Sequence, residues 1–125
     1  MVNETTLRVL ASGFLAAALF GCATASKFTD VPMKPGGKNT TYAIENSSDG
    51  FQITVRYSRY QFIPESDAVA LACRQQLTSL AHDHADQVGR RIEKLNPDRI
   101  KISMGRNGLS GITSCSATAP AKWVE

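Results

Sequence analysis

The sequence predicts an α+β domain of ββαββ order, a four-stranded antiparallel sheet with one long helix packed on one face. Three observations carry this. Phe51, Ile53, Val55 and Tyr57 alternate with Gln52, Thr54, Arg56 and Ser58, the period of a half-buried strand. Val69, Cys73, Leu77, Leu80, Ala81, Ala85, Val88, Ile92 and Leu95 recur at helical spacing and form one apolar stripe. Two more alternating stretches follow that stripe, at residues 100–104 and 112–119. Strands before and after a single helix favour one antiparallel sheet with the helix over one face.

Each element has its own local signals. Residues 40–45 are a short strand, and Asn46-Ser47-Ser48-Asp49-Gly50 is a turn built from residues that tolerate left-handed backbone. The strand beginning at Phe51 therefore returns as the second arm of a hairpin. Beyond Ser58-Arg59 the apolar character passes to Tyr60 and Phe62, which predicts a bulge or bend there. Pro64-Glu65-Ser66-Asp67 places proline, serine and acids where a first helical turn favours them. The helix is expected to run about thirty residues, with Gly89 a weak point or close approach and Asn96-Pro97 its end. Ile100, Ile102 and Met104 form the third strand, and Gly105-Arg106-Asn107-Gly108 supplies an Asn-Gly turn. In the fourth strand Thr113, Cys115, Ala117 and Ala119 share a face, and Trp123 folds back over a core edge.

The chain's 125 residues hold one domain, and the first twenty differ from the rest. Arg8 gives a weakly positive start, and residues 9–20 are an apolar run rich in Ala and Leu. That run has the length of a signal-peptide core and is too short to span a bilayer as a helix. It ends Leu19-Phe20-Gly21-Cys22. These residues resemble the lipobox of bacterial lipoproteins: a leucine three before the cysteine, a small residue before it, then the thiol. The resemblance implies a lipoprotein signal peptide over residues 1–21, cleavage before Cys22, and diacylglycerol on the Cys22 sulfur. Ala23 after the cysteine implies sorting to the outer membrane. Ala23-Thr24-Ala25 is also an A-x-A site, so release of a soluble periplasmic or secreted factor by cleavage after Ala25 is the competing route.

Residues 22–39 are then expected as a lipidated N-terminus and flexible tether, since Pro32, Pro35, Gly36 and Gly37 leave little periodicity. Residues 40–125 form the compact domain. Without Cys22 the chain keeps Cys73 and Cys115, an even pair that an exported protein turns into a disulfide. Closing a loop of this length contributes about 4 kcal/mol by restricting the unfolded chain. One cysteine in a helix and one in a late strand is also a layout similar to that of many small envelope lipoproteins.

Function is less legible. A net charge of +3 with charges mixed along the chain does not make the dense basic stripe of a nucleic-acid binder. No nucleophile elbow, phosphate-cradling glycine loop or separated carboxylate pair is recognisable, so neither a catalytic residue nor a cofactor is expected apart from the lipid on Cys22. His82 and His84 lie two apart and diverge on a helix, so they do not chelate one ion. His82 and Asp86 share a face, which leaves periplasmic metal binding as a minor alternative. The surface most suited to recognition is Arg56, Tyr57, Arg59 and Tyr60, joined by Arg106 if the second hairpin lies nearby, because Arg and Tyr are enriched where proteins bind. The expected role is a membrane-anchored, non-catalytic binding or assembly domain that contacts an envelope protein or the cell wall.

Overall fold

A computed structural model describes residues 24–124. The predicted signal peptide and Cys22 lie outside the described residues. The elements of the described residues are strands β1 (Lys34–Gly37), β2 (Thr40–Asn46) and β3 (Gly50–Tyr60), helix α1 (Ser66–Val88), a 3-10 turn at Pro97–Arg99, and strands β4 (Lys101–Asn107) and β5 (Ile112–Lys122). The architecture is α+β with one long helix on one face of an antiparallel sheet. The sheet has five strands rather than four, in the order β1-β2-β3-β5-β4.

The two longest strands, β3 and β5, pair at the centre from Gly50↔Lys122 to Tyr60↔Ile112 with no shift of register. The bend expected near Ser58-Arg59 is therefore absent. The polarity changes for another reason. The unbroken register carries Arg59 onto the helix-side face, where it is exposed.

Phe51, Ile53 and Val55 of β3 and Cys115, Ala117, Ala119 and Ala121 of β5 face α1, which presents Val69, Cys73, Leu77, Leu80, Ala81 and Ala85. Alanines on β5 let the helix lie close, while Phe51, Ile53 and Leu77 fill the volume. Full burial of each large apolar side chain contributes about 1.5–3 kcal/mol. Cys73 and Cys115 are joined by a disulfide at a Cα–Cα distance of 6.4 Å, so the staple ties the helix to a central strand.

The helix is shorter than its stripe predicts. It stops at Gly89, which takes left-handed backbone (φ 79°), with Gly89 N–H donating to Asp86 O and Arg90 N–H to Ala85 O. The chain then turns back. Ile92 and Leu95 still enter the core, but from an extended segment whose Ile92 bridges to Trp123. Glu93 N–H donates to Lys122 O at 2.8 Å and Val124 N–H to Arg91 O at 2.9 Å, so this segment clasps the end of β5. Trp123 covers the core edge, its ring 5.2 Å from Phe51 and under the Arg90 guanidinium at 4.5 Å.

The largest departure is in residues 24–39. Expected as a flexible tether, they are laid on the sheet. Residues 24–33 form a strap across the face opposite the helix, and Lys34–Gly37 adds the edge strand β1. Ala25 is buried, Ser26 N–H donates to Ser103 Oγ of β4 at 2.8 Å, and the Thr29 hydroxyl bonds Glu45 of β2. The outer face under the strap is hydroxyl-rich and only partly open. Thr54 and Thr118 satisfy one another at 3.0 Å, and Gln52 donates to Thr118 at 2.8 Å.

Candidate binding surfaces

The five residues expected to form one recognition surface are divided between the two faces of the sheet. Arg56 lies in the row Thr41–Arg56–Ser116–Ser103 on the outer face and is exposed. Tyr57 is on the helix side, half-buried and packed against the core. Arg59 shares that side but is exposed, whereas Tyr60 is exposed on the outer side with its ring over Gly111. The second hairpin does lie beside them, but Arg106 is used as a brace. Its Nη1 donates to Thr113 Oγ1 at 2.8 Å and its Nη2 to Gln61 O at 3.2 Å. The alternation that made β3 legible as a strand is also what separates Arg56 from Tyr57.

Three surfaces of the described residues stand out. The first is the end of the sheet where β3 leaves and β5 begins. Tyr60, Phe62, Ile63, Leu109 and Ile112 are all exposed there, Leu109 by 96% and Phe62 by 85%. The frame behind them is well bonded. Gln61 N–H donates to Gly111 O at 2.9 Å, and the buried Gln61 amide accepts from Glu65 N–H and donates to Glu65 O, closing the β3–α1 loop. Asn107 Oδ1 accepts from Leu109 N–H at 2.9 Å and Ser110 N–H at 3.2 Å, which fixes the β4–β5 turn. Phe62, Ile63 and Leu109 are not among the residues the sequence singled out for recognition. Their signal was present: large apolar side chains in loops, with no periodic partner to bury them.

The second surface is the outer face. An open cleft of about 530 Å³ is bounded by Thr40, Thr41, Arg56, Ser58 and Ser114. Arg56 also closes one side of a smaller cavity of about 210 Å³ between the strap and the sheet. Ser116 lines that cavity, fully buried, and its Oγ has no hydrogen-bond partner. The third is an open, largely apolar groove between α1 and the connection to β4, lined by Arg74, Thr78, His82, Lys94, Leu95 and Ile100.

His82 is exposed on the wall of that groove, and Asp86 is exposed one turn further on. Among the described residues no group of three or more His, Cys, Asp or Glu side chains converges. His84 is half-buried and meets Phe51 edge-on, ring centroids 4.8 Å apart. Burial, reinforced by the nearby charge of Lys34, holds its pKa below the ordinary 6.5. No helix of the described residues is long and apolar enough to cross a membrane.

Comparison of the chain with protein-family models, with curated proteins and with solved structures finds no match. The functional reading therefore rests on the residues themselves.

Proposed function

We propose that the chain is a lipid-anchored envelope protein of the outer membrane, acylated at Cys22, whose domain works by contact rather than catalysis. Its partner is a second envelope component, an envelope protein or the cell wall. The observation that carries this is how near to Cys22 the chain is packed and bonded. Ala25 is buried and Ser26 N–H is bonded to Ser103, three and four residues after Cys22. Cleavage before Cys22 keeps both contacts. Cleavage after Ala25 discards the buried side chain and turns the Ser26 amide into a charged amino terminus at the same place.

The outer face around Arg56 is the surface we assign to the partner. Hydroxyls of Thr41, Ser58 and Ser114 beside an exposed guanidinium suit carboxylates and hydroxyls, as in a peptide-linked glycan or an acidic protein patch.

The test is the intact mass of the full chain purified from bacterial membranes, with and without reductant. A mature chain starting at acylated Cys22, two mass units lighter before reduction, is the expected result. An unlipidated chain starting at Ser26 overturns the anchor and makes the protein a released factor.

A further inference from the structure

We propose that the apolar end of the sheet is a second membrane contact, seated in the headgroup layer of the bilayer that holds the Cys22 lipid. The proposal rests on the anchored reading above and adds an orientation to it.

Reach is the first argument. Three peptide steps separate Cys22 from Ala25, so the acylated residue lies within about 10 Å of it. The next residue, Ser26, is bonded to Ser103 on β4. From Ser103 to Asn107, where the exposed turn begins, is four residues of the same strand, about 13 Å. The expected tether would have lifted the domain clear of the surface. The strap does the opposite: it consumes the chain that would have been the spacer and holds β4 beside the anchor. A bilayer that accepts the Cys22 lipid is within reach of the β4–β5 turn.

Chemistry is the second. Tyr60, Phe62, Ile63, Leu109 and Ile112 come from two neighbouring loops and strand ends, and no element of the described fold covers them. An aromatic ring with a polar tip beside aliphatic side chains is the composition that settles at a membrane interface. Residues 57–63 and 106–113 contain Arg59 and Arg106 and no acid, which suits anionic headgroups. Glu65 and Asp67 stand behind the loop at the start of α1, so the loops enter and the helix does not. Rigidity is the third. The Gln61 bridge, the Asn107 cap and the Arg106 brace hold the side chains outward before any surface is met, so little ordering is required on contact. Weak insertion suffices, because the anchor converts it into an intramolecular event.

The test uses the full chain, purified from bacterial membranes and reconstituted into vesicles of phosphatidylethanolamine and phosphatidylglycerol. Leu109→Trp places an indole at the most exposed position, and Phe62→Trp repeats the measurement on the other loop. The native Trp123, at the opposite end of the sheet, serves as the reference. With bromine on the acyl chains, quenching of either introduced indole several-fold stronger than that of wild-type emission is the expected result. If the protein floats with the vesicles but the introduced indoles respond to aqueous acrylamide and not to bromine, the second contact is overturned and the anchor stands. If the protein does not float, both readings fall together. Shielding from both quenchers in native membranes alone would assign this end to a protein partner and also overturn the proposal.

Discussion

His84 is a titratable group built into the edge of the core. Its ring meets Phe51 at an interplanar angle of 72°, and Lys34 of β1 is the nearby charge that opposes its protonation. Burial is the larger cause and Lys34 the smaller, and both lower the folded pKa beneath 6.5. The unfolded chain therefore takes up this proton at a higher pH than the folded one. The stability tied to neutral His84 is fully present above pH 6.5 and is lost as pH falls through the folded value. Urea unfolding from about pH 8 down to about pH 5 should show stability declining below the ordinary histidine range. His84→Gln should flatten that decline while leaving the carboxylate-dependent loss at lower pH. An unchanged profile in the variant would show that the imidazole is solvated in both states. At the same scale Gly36 shows how composition misleads. In Lys34-Pro35-Gly36-Gly37 it reads as a linker residue, yet a Cβ there would lie 2.7 Å from Tyr42 Cδ1 and 3.0 Å from Leu80 Cδ1. The glycine is required by close packing, and an edge strand tolerates the proline beside it.

At the scale of the element, the C-terminus of α1 decides how residues 89–95 reach the core. Space around Gly89 is open, with nothing within 4 Å of a Cβ, so only its left-handed backbone resists substitution. Gly89→Ala should cost about 1 kcal/mol, with Gly89→Asn costing less, read from thermal or urea midpoints. Equal stability of all three chains would mean that the helix end frays and the turn is held by Ile92 and Leu95 alone. The same cap explains what the sequence could reveal here. Periodicity reports which residues are buried, not the path that buries them. Ile92 and Leu95 fall on the stripe of a continued helix and are equally buried by a chain that turns back at Gly89. The helix face, the β3 alternation and the inward Cys115 were legible because each follows from a short-range period. The strap was not. Its burial depends on a sheet face formed by residues far along the chain, and its own prolines and glycines carry the composition of a linker. The five residues expected on one surface are split between two faces for a related reason. Neighbours along a strand point to opposite faces, so a run of Arg and Tyr is not a patch.

At the scale of the molecule, two devices hold the parts together, and they act on opposite faces of the sheet. The strap crosses the outer face from β4 to β2 through Ser26–Ser103 and Thr29–Glu45. The disulfide pins the other face, where α1 meets β5. Cys73 and Cys115 are separated by 42 positions and enclose most of α1, the 3-10 turn, β4 and the second hairpin turn. Their side chains are fully buried, so the bond packs as part of the core. Restricting a loop of this length in the unfolded chain contributes about 4 kcal/mol. A domain of this size has a total stability of only about 5–15 kcal/mol, so the staple is a large share of it. Cys73→Ala combined with Cys115→Ala should therefore lower the unfolding free energy by about 4 kcal/mol, seen as a much lower urea midpoint. The effect should appear mainly through the unfolded state, so the folded variant should keep its far-ultraviolet circular dichroism. A midpoint equal to that of the oxidised parent would mean that strand pairing and the α1 stripe already restrict the loop without the bond. The single variants would not make this comparison cleanly, because each leaves one thiol that is free to pair with a second chain once the domain unfolds.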